Sequence, residues 1–311
     1  MALHELNPTR ATLHGHWSRE LAPALTIDAG DTVRFACLDA MWCDGRPEAW
    51  PWKQFEARVP ELDDGHALTG PVYVRGAKAG MTLEISIGEI VPDHWAWTWS
   101  WPRGQRAAEL GLAGAPQYVQ VWDIDPAKMV AHDRNGLSLR LRPFMGVMGV
   151  APAEAGVHST TPPRVWGGNI DCKELVAGTT LYLPIGVDGA LFSVGDGHGL
   201  QGDGEVCGTA IECPMTRVDL TFNVLDRPLT APRAKTADAW ITFGFDPDLN
   251  RASIMALNGM LDLIQEHHTV DRSKALGLAS LAADFRITQI VNQSQGVHCV
   301  LPFDALGRAV S

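Results

Sequence analysis

Cysteine is scarce in this chain: six residues in 311, with no CxxC or paired CxxC spacing. That excludes a disulfide scaffold and removes any sign of a structural cysteine-zinc site. Cys37, Cys43, Cys172, Cys207, Cys213 and Cys299 therefore read mostly as reduced thiols, several of them packing residues. Long apolar runs are also missing. Stretches such as Ala190-Leu191-Phe192-Ser193-Val194 are far too short for a transmembrane helix, and Met1-Ala2-Leu3-His4-Glu5 is not a basic region leading into an apolar one. The expectation is a soluble, cytoplasmic chain with no membrane partner. Lysine and arginine runs are absent too, and the formal net charge of -11 gives an average field that repels phosphate and argues against nucleic acid. Glycine and proline show no period, and 46% hydrophobic residues against 20% charged exclude both a collagen-like and a disordered chain.

What remains is a globular protein long enough for one large or two ordinary domains. Strand signals fill the first two thirds: Ala24-Leu25-Thr26-Ile27, Thr32-Val33-Arg34-Phe35, Val72-Tyr73-Val74, Thr82 to Ile87 and Thr180-Leu181-Tyr182-Leu183 are short β-branched or alternating runs. Turns are expected at Asp28-Ala29-Gly30-Asp31 and Lys78-Ala79-Gly80-Met81. Even spacing of such strands points to a mainly β fold, sandwich-like or barrel-like. Helical spacing of Ile254, Met255, Leu257, Leu261 and Ile264 predicts an amphipathic helix from Ser253 to His267. A second helix is expected over Arg272 to Ala282, followed by a strand at Phe285 to Val291. The C-terminal portion is thus α+β. A junction within Pro228 to Thr236 divides a β-rich part, 1–227, from residues 228–311, whose strands remain free to join the same sheets.

Two stretches carry chemistry. In Trp95-Ala96-Trp97-Thr98-Trp99-Ser100-Trp101 four indoles recur at period two, so a strand would place them all on one face. Such a face suits a core or subunit contact, or an aromatic wall of a substrate pocket with Trp97 and Trp99 against the ligand. The second stretch begins at Gly167-Gly168-Asn169-Ile170-Asp171 and resumes from Gly195 to Glu212, where Gly-Asp-Gly occurs once ahead of His198 and again ahead of Glu205. Glycine of this density favours a tightly folded loop that presents its polar side chains together. Asp196, His198, Asp203 and Glu205 are oxygen and nitrogen ligands suited to Zn²⁺ or a similar divalent ion, with Asp171 completing the set from a neighbouring strand. An EF-hand loop counted from Asp196 would need its glutamate two residues beyond Glu205, where Cys207 stands. Turn formation by Asp and Gly, with His198 capping the loop, is the alternative.

These residues resemble the acetamidase/formamidase family. The likeness runs through Leu25 to Val33, Gly70-Pro71-Val72-Tyr73-Val74, Arg142 to Pro152, Pro162-Pro163, Gly167 to Asp171 and Gly195 to Glu212, with weaker echoes at Asp284 to Gln289 and Gly296-Val297-His298. The resemblance implies a mostly β fold with a mixed C-terminal portion, an oligomeric enzyme, and hydrolysis of a short amide to a carboxylate and ammonia. It also aligns His14, or alternatively His16, with the histidine of the family's N-terminal motif, which makes His14 a further candidate metal ligand. After Trp97 the chain departs from a small, apolar Pro-Gly-Phe-Gly-like loop and reads Trp99-Ser100-Trp101-Pro102-Arg103-Gly104-Gln105, which leaves the acyl group of the substrate open.

An amide is a poor electrophile with a poor leaving group, so a catalyst must activate water or supply a nucleophile, stabilise an oxyanion and protonate nitrogen. A divalent metal held by Asp171, Asp196 and His198, zinc being the best match, would activate water and polarise the carbonyl, with Glu205 as base and acid and no organic cofactor. The competing chemistry makes Cys207 a nucleophile with Glu205 or Glu212 as base. A non-catalytic β-sandwich binding module holding a metal or ligand in the same loop is a third reading; it would retain ligand without releasing ammonia.

Overall fold

The computed structural model describes residues 1–48, 52–101 and 104–307. Pro102 and Arg103, in the stretch that departs from the family pattern, lie outside them. Among the described residues the strands form three sheets. The largest has nine strands in the order Leu3–Leu6, Thr32–Cys37, Met215–Leu225, Thr82–Pro92, Thr180–Pro184, Arg233–Lys235, Ala239–Asp246, Gln295–Pro302 and Asp284–Gln289. Its spine is the antiparallel pair Thr82–Pro92 and Met215–Leu225, along which buried and less buried residues alternate as a sheet with one face on the core demands. The sheet does not stop near residue 228, because Arg233–Lys235 hydrogen-bonds to Thr180–Pro184 and carries the C-terminal strands into the same layer.

A six-stranded sheet orders Gly167–Asn169, Phe144–Gly149, Phe192–His198, Leu68–Val74 and Leu13–His14, with Leu25–Ile27 pairing in parallel to Leu68–Val74. It stacks on the nine-stranded sheet. Phe192 from the six-stranded sheet meets Phe35 and Phe222 from the larger one, with ring centroids 6.3 and 5.0 Å away, and all three rings are fully buried. Edge-to-face contacts of this kind add about 0.5–1.5 kcal/mol each beyond the area they bury. The four-stranded sheet, Ser138–Arg140, Val130–His132, Tyr118–Asp125 and Trp95–Ser100, contains the tryptophan strand. The sandwich-like, mainly β architecture is the one the strand spacing implies.

Helices pack late in the chain. The long helix Leu249–His268 begins four residues ahead of the expected Ser253, because the Asp248 side chain caps it by accepting from the backbone N–H groups of Asn250 and Arg251. It ends at Thr269, whose left-handed backbone lets its N–H reach the Gln265 carbonyl. Ala252, Ala256, Met260, Leu263 and Ile264 are its buried face. The strand Ala239–Asp246 comes so close that a Cβ on Gly244 would lie 2.0 Å from the Ala252 carbonyl oxygen. The second helix, Arg272–Ala282, has the expected bounds, and the strand after it spans Asp284–Gln289. No helix among the described residues is long and apolar enough to cross a membrane.

Candidate active site

The strand Phe192–His198 runs between Phe144–Gly149 and Leu68–Val74, and the two-residue repeat of a strand puts Asp196 and His198 on one face. The glycines around them answer to crowding. A Cβ on Gly195 would stand 2.2 Å from the Ala67 carbonyl oxygen, and one on Gly197 would stand 2.5 Å from that of Cys213. Across the ladder, a Cβ on Gly146 would fall 2.6 Å from Asp196 Oδ2, 2.8 Å from Asp171 Oδ1 and 2.8 Å from His198 Cε1. Only a residue without a side chain lets these groups converge.

Asp171 follows the strand Gly167–Asn169. Glu205 closes a turn that is pinned to the end of the strand Asp284–Gln289 by hydrogen bonds from Gly204 N to the Thr288 carbonyl and from Ile290 N to the Gly204 carbonyl. Glu212 enters through short antiparallel bridges to both His198 and Trp97. All five ionisable residues, Asp171, Asp196, His198, Glu205 and Glu212, are buried. Three of them, Asp171, Asp196 and Glu205, have φ of +52°, +59° and +45°, a region that costs a non-glycine residue about 1–3 kcal/mol and that clusters at functional sites.

His198 Nε2 lies 3.3 Å from Asp196 Oδ1 and 3.2 Å from Glu212 Oε2. Its other nitrogen is 2.9 Å from Gln201 Oε1, and Gln201 in turn donates from Nε2 to the Asp171 carbonyl at 2.8 Å. That orientation of the amide makes His198 Nδ1–H the donor and leaves Nε2 facing the carboxylates. Asn292 Nδ2 donates to Asp171 Oδ2 at 2.7 Å. Asp171 Oδ1, His198 Nε2 and Glu212 Oε2 are buried with no hydrogen-bond partner.

Four carboxylates gathered this closely cannot all ionise. Burial, then the Glu205 charge, drives Asp171 well above the usual carboxylate range. Burial, followed by the Glu212 and Asp196 charges, pushes Glu205 up to about 8. Burial lifts Glu212 to about 7, reinforced by Asp196 and opposed by His198. Burial acts on Asp196 in the same sense, yet the His198 and His66 charges outweigh it and hold that carboxyl below its ordinary value. For His198, burial pulls the imidazole down, and Glu212 and Asp196 more than reverse this. Among the described residues no lysine or arginine pairs with any of the four carboxylates. Ligand atoms of Asp171, Asp196 and His198 lie within 4.8 Å of one another, as do those of His198, Glu205 and Glu212. Either group could hold a metal ion, and the unpartnered atoms and the space beside Gly146 fit such a guest.

The acetamidase/formamidase family model matches residues 3–158 and 153–304, nearly the whole chain. The chain belongs to this family. A putative formamidase of Schizosaccharomyces pombe is 25% identical over 281 residues, covering 71% of this chain and 68% of the relative. The acetamidase of Mycolicibacterium smegmatis is 27% identical over 302 residues, covering 74% and 73%. A solved structure of a recombinant predicted acetamidase/formamidase from the thermophile Thermoanaerobacter tengcongensis superposes with a TM-score of 0.84 at 27% identity, covering 97% of this chain and 96% of that one. As a member of the acetamidase/formamidase family the chain is an amidase, a hydrolase of amide carbon–nitrogen bonds.

Against that family background, the structure gathers Asp171, Asp196, His198, Glu205 and Glu212 into one cluster, and it places the remaining sequence candidates elsewhere. Asp203, proposed as a ligand, instead pairs with Lys173 at 2.8 Å. His14 is buried with both ring nitrogens engaged, Nε2 by Ser193 Oγ at 2.8 Å and Nδ1 by the His16 carbonyl at 2.7 Å, and burial lowers it to about 4. It braces the strand that carries Asp196, and neither ring nitrogen is left facing the cluster. His16 contacts the Leu62 carbonyl. Cys207 is exposed, and its sulfur lies 3.4 Å from the Thr209 carbonyl oxygen in its own loop; among the described residues no imidazole hydrogen-bonds to it. The Cys207 thiol is engaged by Thr209 through that carbonyl and through Oγ1 at 3.6 Å, and neither Glu205 nor Glu212, the bases of the thiol reading, hydrogen-bonds to it.

Trp97 exchanges both backbone hydrogen bonds with Glu212, so its side chain leaves the strand on the face that carries the cluster. Its indole N–H donates to the buried Asp39 at 2.8 Å and its ring sits 4.7 Å from Trp52. The indole face runs outward from there, Trp99 being half-buried and Trp101 exposed. Sequence reasoning missed Gly146, Gln201, His66 and Asn292. His66, bonded through Nδ1 to Thr160 Oγ1 at 2.8 Å, is close enough to feel the Asp196 and His198 charges. Gln201, three residues beyond His198 in the glycine-rich loop, and Gly146, within Arg142 to Pro152, lay in stretches the sequence had singled out, whereas His66 and Asn292 did not.

Proposed function

We propose that this amidase cleaves a short-chain amide, of the formamide or acetamide kind, to a carboxylate and ammonia with the help of a divalent metal held by Asp171, Asp196 and His198. One imidazole nitrogen with carboxylate oxygens is a donor set suited to zinc. The observation that carries the reading is the trio of buried atoms without a hydrogen-bond partner, Asp171 Oδ1, His198 Nε2 and Glu212 Oε2, in a cluster that among the described residues holds no lysine or arginine. When bound, the ion supplies Lewis-acid polarisation of the carbonyl and eases deprotonation of water.

The protein's own residues do the rest. Glu205, raised to about 8 in the ion-free protein, is a carboxylate able to take a proton from the attacking water and return it to the departing nitrogen. Gln201 fixes the His198 ring so that Nε2 faces the carboxylates. Glu212, tied through Oε1 to the Ala210 N–H at 2.7 Å, presents its other oxygen to the same space. Trp97 and Trp99 border the approach from the Glu212 side and limit the acyl group. Ammonia release from short aliphatic, aromatic and formyl amides, with and without chelator, tests the reading. Turnover that chelation abolishes and added zinc restores is the expected result; full activity in metal-free protein sinks the metal.

A further inference from the structure

Asn292 sits on the turn between the last two strands, 121 positions from Asp171, yet it touches both carboxylates that face each other across the cluster. Its Nδ2 lies 2.7 Å from Asp171 Oδ2 and 3.5 Å from Glu205 Oε2. An amide nitrogen carries two hydrogens, one for each oxygen, and no charge. The turn that presents it is built by Gln289, which is fully buried. Gln289 Oε1 accepts from the backbone N–H groups of Val291 and Asn292 at 2.9 and 3.1 Å, and its Nε2 donates to the Ser294 carbonyl at 2.6 Å. The placement of Asn292 thus depends on Gln289 and on backbone groups, not on the Asn292 side chain itself.

We infer that Asn292 is a positioning residue that commits one oxygen of Asp171, so that the other, Oδ1, is kept free for the metal, and that tethers Glu205 beside it as the proton carrier. Two observations meet in this assignment. Asp171 Oδ2 is the oxygen that Asn292 holds, and Asp171 Oδ1 is the one left buried and unpartnered beside Gly146. A neutral double donor can bridge two carboxylates without adding a salt-bridge cation. The inference rests on the proposed metal reading, and the experiment separates the two.

The test compares Asn292→Leu, which keeps the volume and loses both donors, with Asn292→Gln, which keeps the amide. Zinc affinity is measured by chelator competition on folded, stripped protein, alongside kcat and KM at saturating zinc and the melting temperature. Asn292→Leu should raise the zinc dissociation constant about ten- to a hundredfold, as loss of a group orienting a ligand does. Its kcat should fall about tenfold or more with KM within about threefold, since the lost contact aims a proton-transfer group. Asn292→Gln should recover part of both. Zinc affinity and kcat within about twofold of wild type in Asn292→Leu overturn the inference, as do equal losses in both variants that merely track a lower melting temperature. Wild-type protein that binds no zinc while still releasing ammonia overturns the metal reading instead, and this inference with it.

Discussion

One half-buried carboxylate and one buried cluster of carboxylates in this protein are treated in opposite ways. Asp219, on the strand Met215–Leu225, receives Arg34 Nε at 2.8 Å, Arg34 Nη2 at 3.1 Å and Arg217 Nη2 at 2.6 Å, so both oxygens are held by cations of the chain itself. Those arginines, Arg34 first, outweigh burial and bring Asp219 down to about 2. The cluster around His198 gathers four carboxylates with no arginine or lysine among the described residues, and burial pushes three of them upward. Three of its buried atoms have no hydrogen-bond partner, although His198 Nε2 and Glu212 Oε2 face each other at 3.2 Å. In the proposed function, the charge that arginine supplies to Asp219 comes to this cluster from a bound metal ion. The first arrangement is for stability and the second for function.

The comparison breaks most visibly through substitutions that keep shape and change charge. Glu205→Gln should retain bound metal and lose turnover by roughly two to four orders of magnitude, the usual worth of a positioned general base. Asp196→Asn and His198→Ala should lose the metal instead. A Glu205→Gln protein that loses metal while Asp196→Asn keeps it would exchange the two roles. Variants that keep both metal and rate would make the loop structural.

Asp219→Asn should leave metal content and turnover untouched and lower stability. The folded carboxyl titrates near 2 and the unfolded one near 3.8, so the stabilisation is complete above about pH 4 and disappears as pH falls through 2. Chemical denaturation at pH 7 should show a loss of about 2 kcal/mol, and none near pH 2. An equal deficit at both pH values would mean that packing, not charge, accounts for it.

The smallest effect is expected at the border of the two regimes. Trp97→Phe removes the indole donor to the buried Asp39 and costs about 1–2 kcal/mol, as loss of a buried hydrogen bond does. If Trp97 also borders the substrate, the ranking of amides by acyl size should shift severalfold in the same variant, since a pocket wall discriminates by the volume it leaves. A lower melting temperature with an unchanged ranking would assign the residue to packing alone.

Much of this was legible in the residues. Doubled Gly-Asp-Gly announced a crowded loop, and the structure shows the crowding at Gly195 and Gly197 directly. Period-two tryptophans announced a strand, and apolar spacing announced the long helix, although Asp248 starts it a turn earlier than the apolar pattern does. The order of the nine-stranded sheet was not legible, because most of its neighbours are distant in sequence and local pattern says nothing about which strands meet. The same physics hid Asn292, whose turn carries no mark until Gln289 folds it against Asp171. Asp203 misled for the converse reason: a carboxylate in the right loop is no ligand once Lys173 has claimed it.

The central claim is that the carboxylate cluster, unlike Asp219, is completed by an external divalent ion. Equilibrium dialysis of stripped protein against zinc, with wild type, Asp196→Asn and Asp219→Asn side by side, tests it most directly. The account predicts about one tightly held ion per chain in wild type and Asp219→Asn and a large loss in Asp196→Asn. Zinc uptake that is absent from wild type, or unchanged in Asp196→Asn, would contradict it.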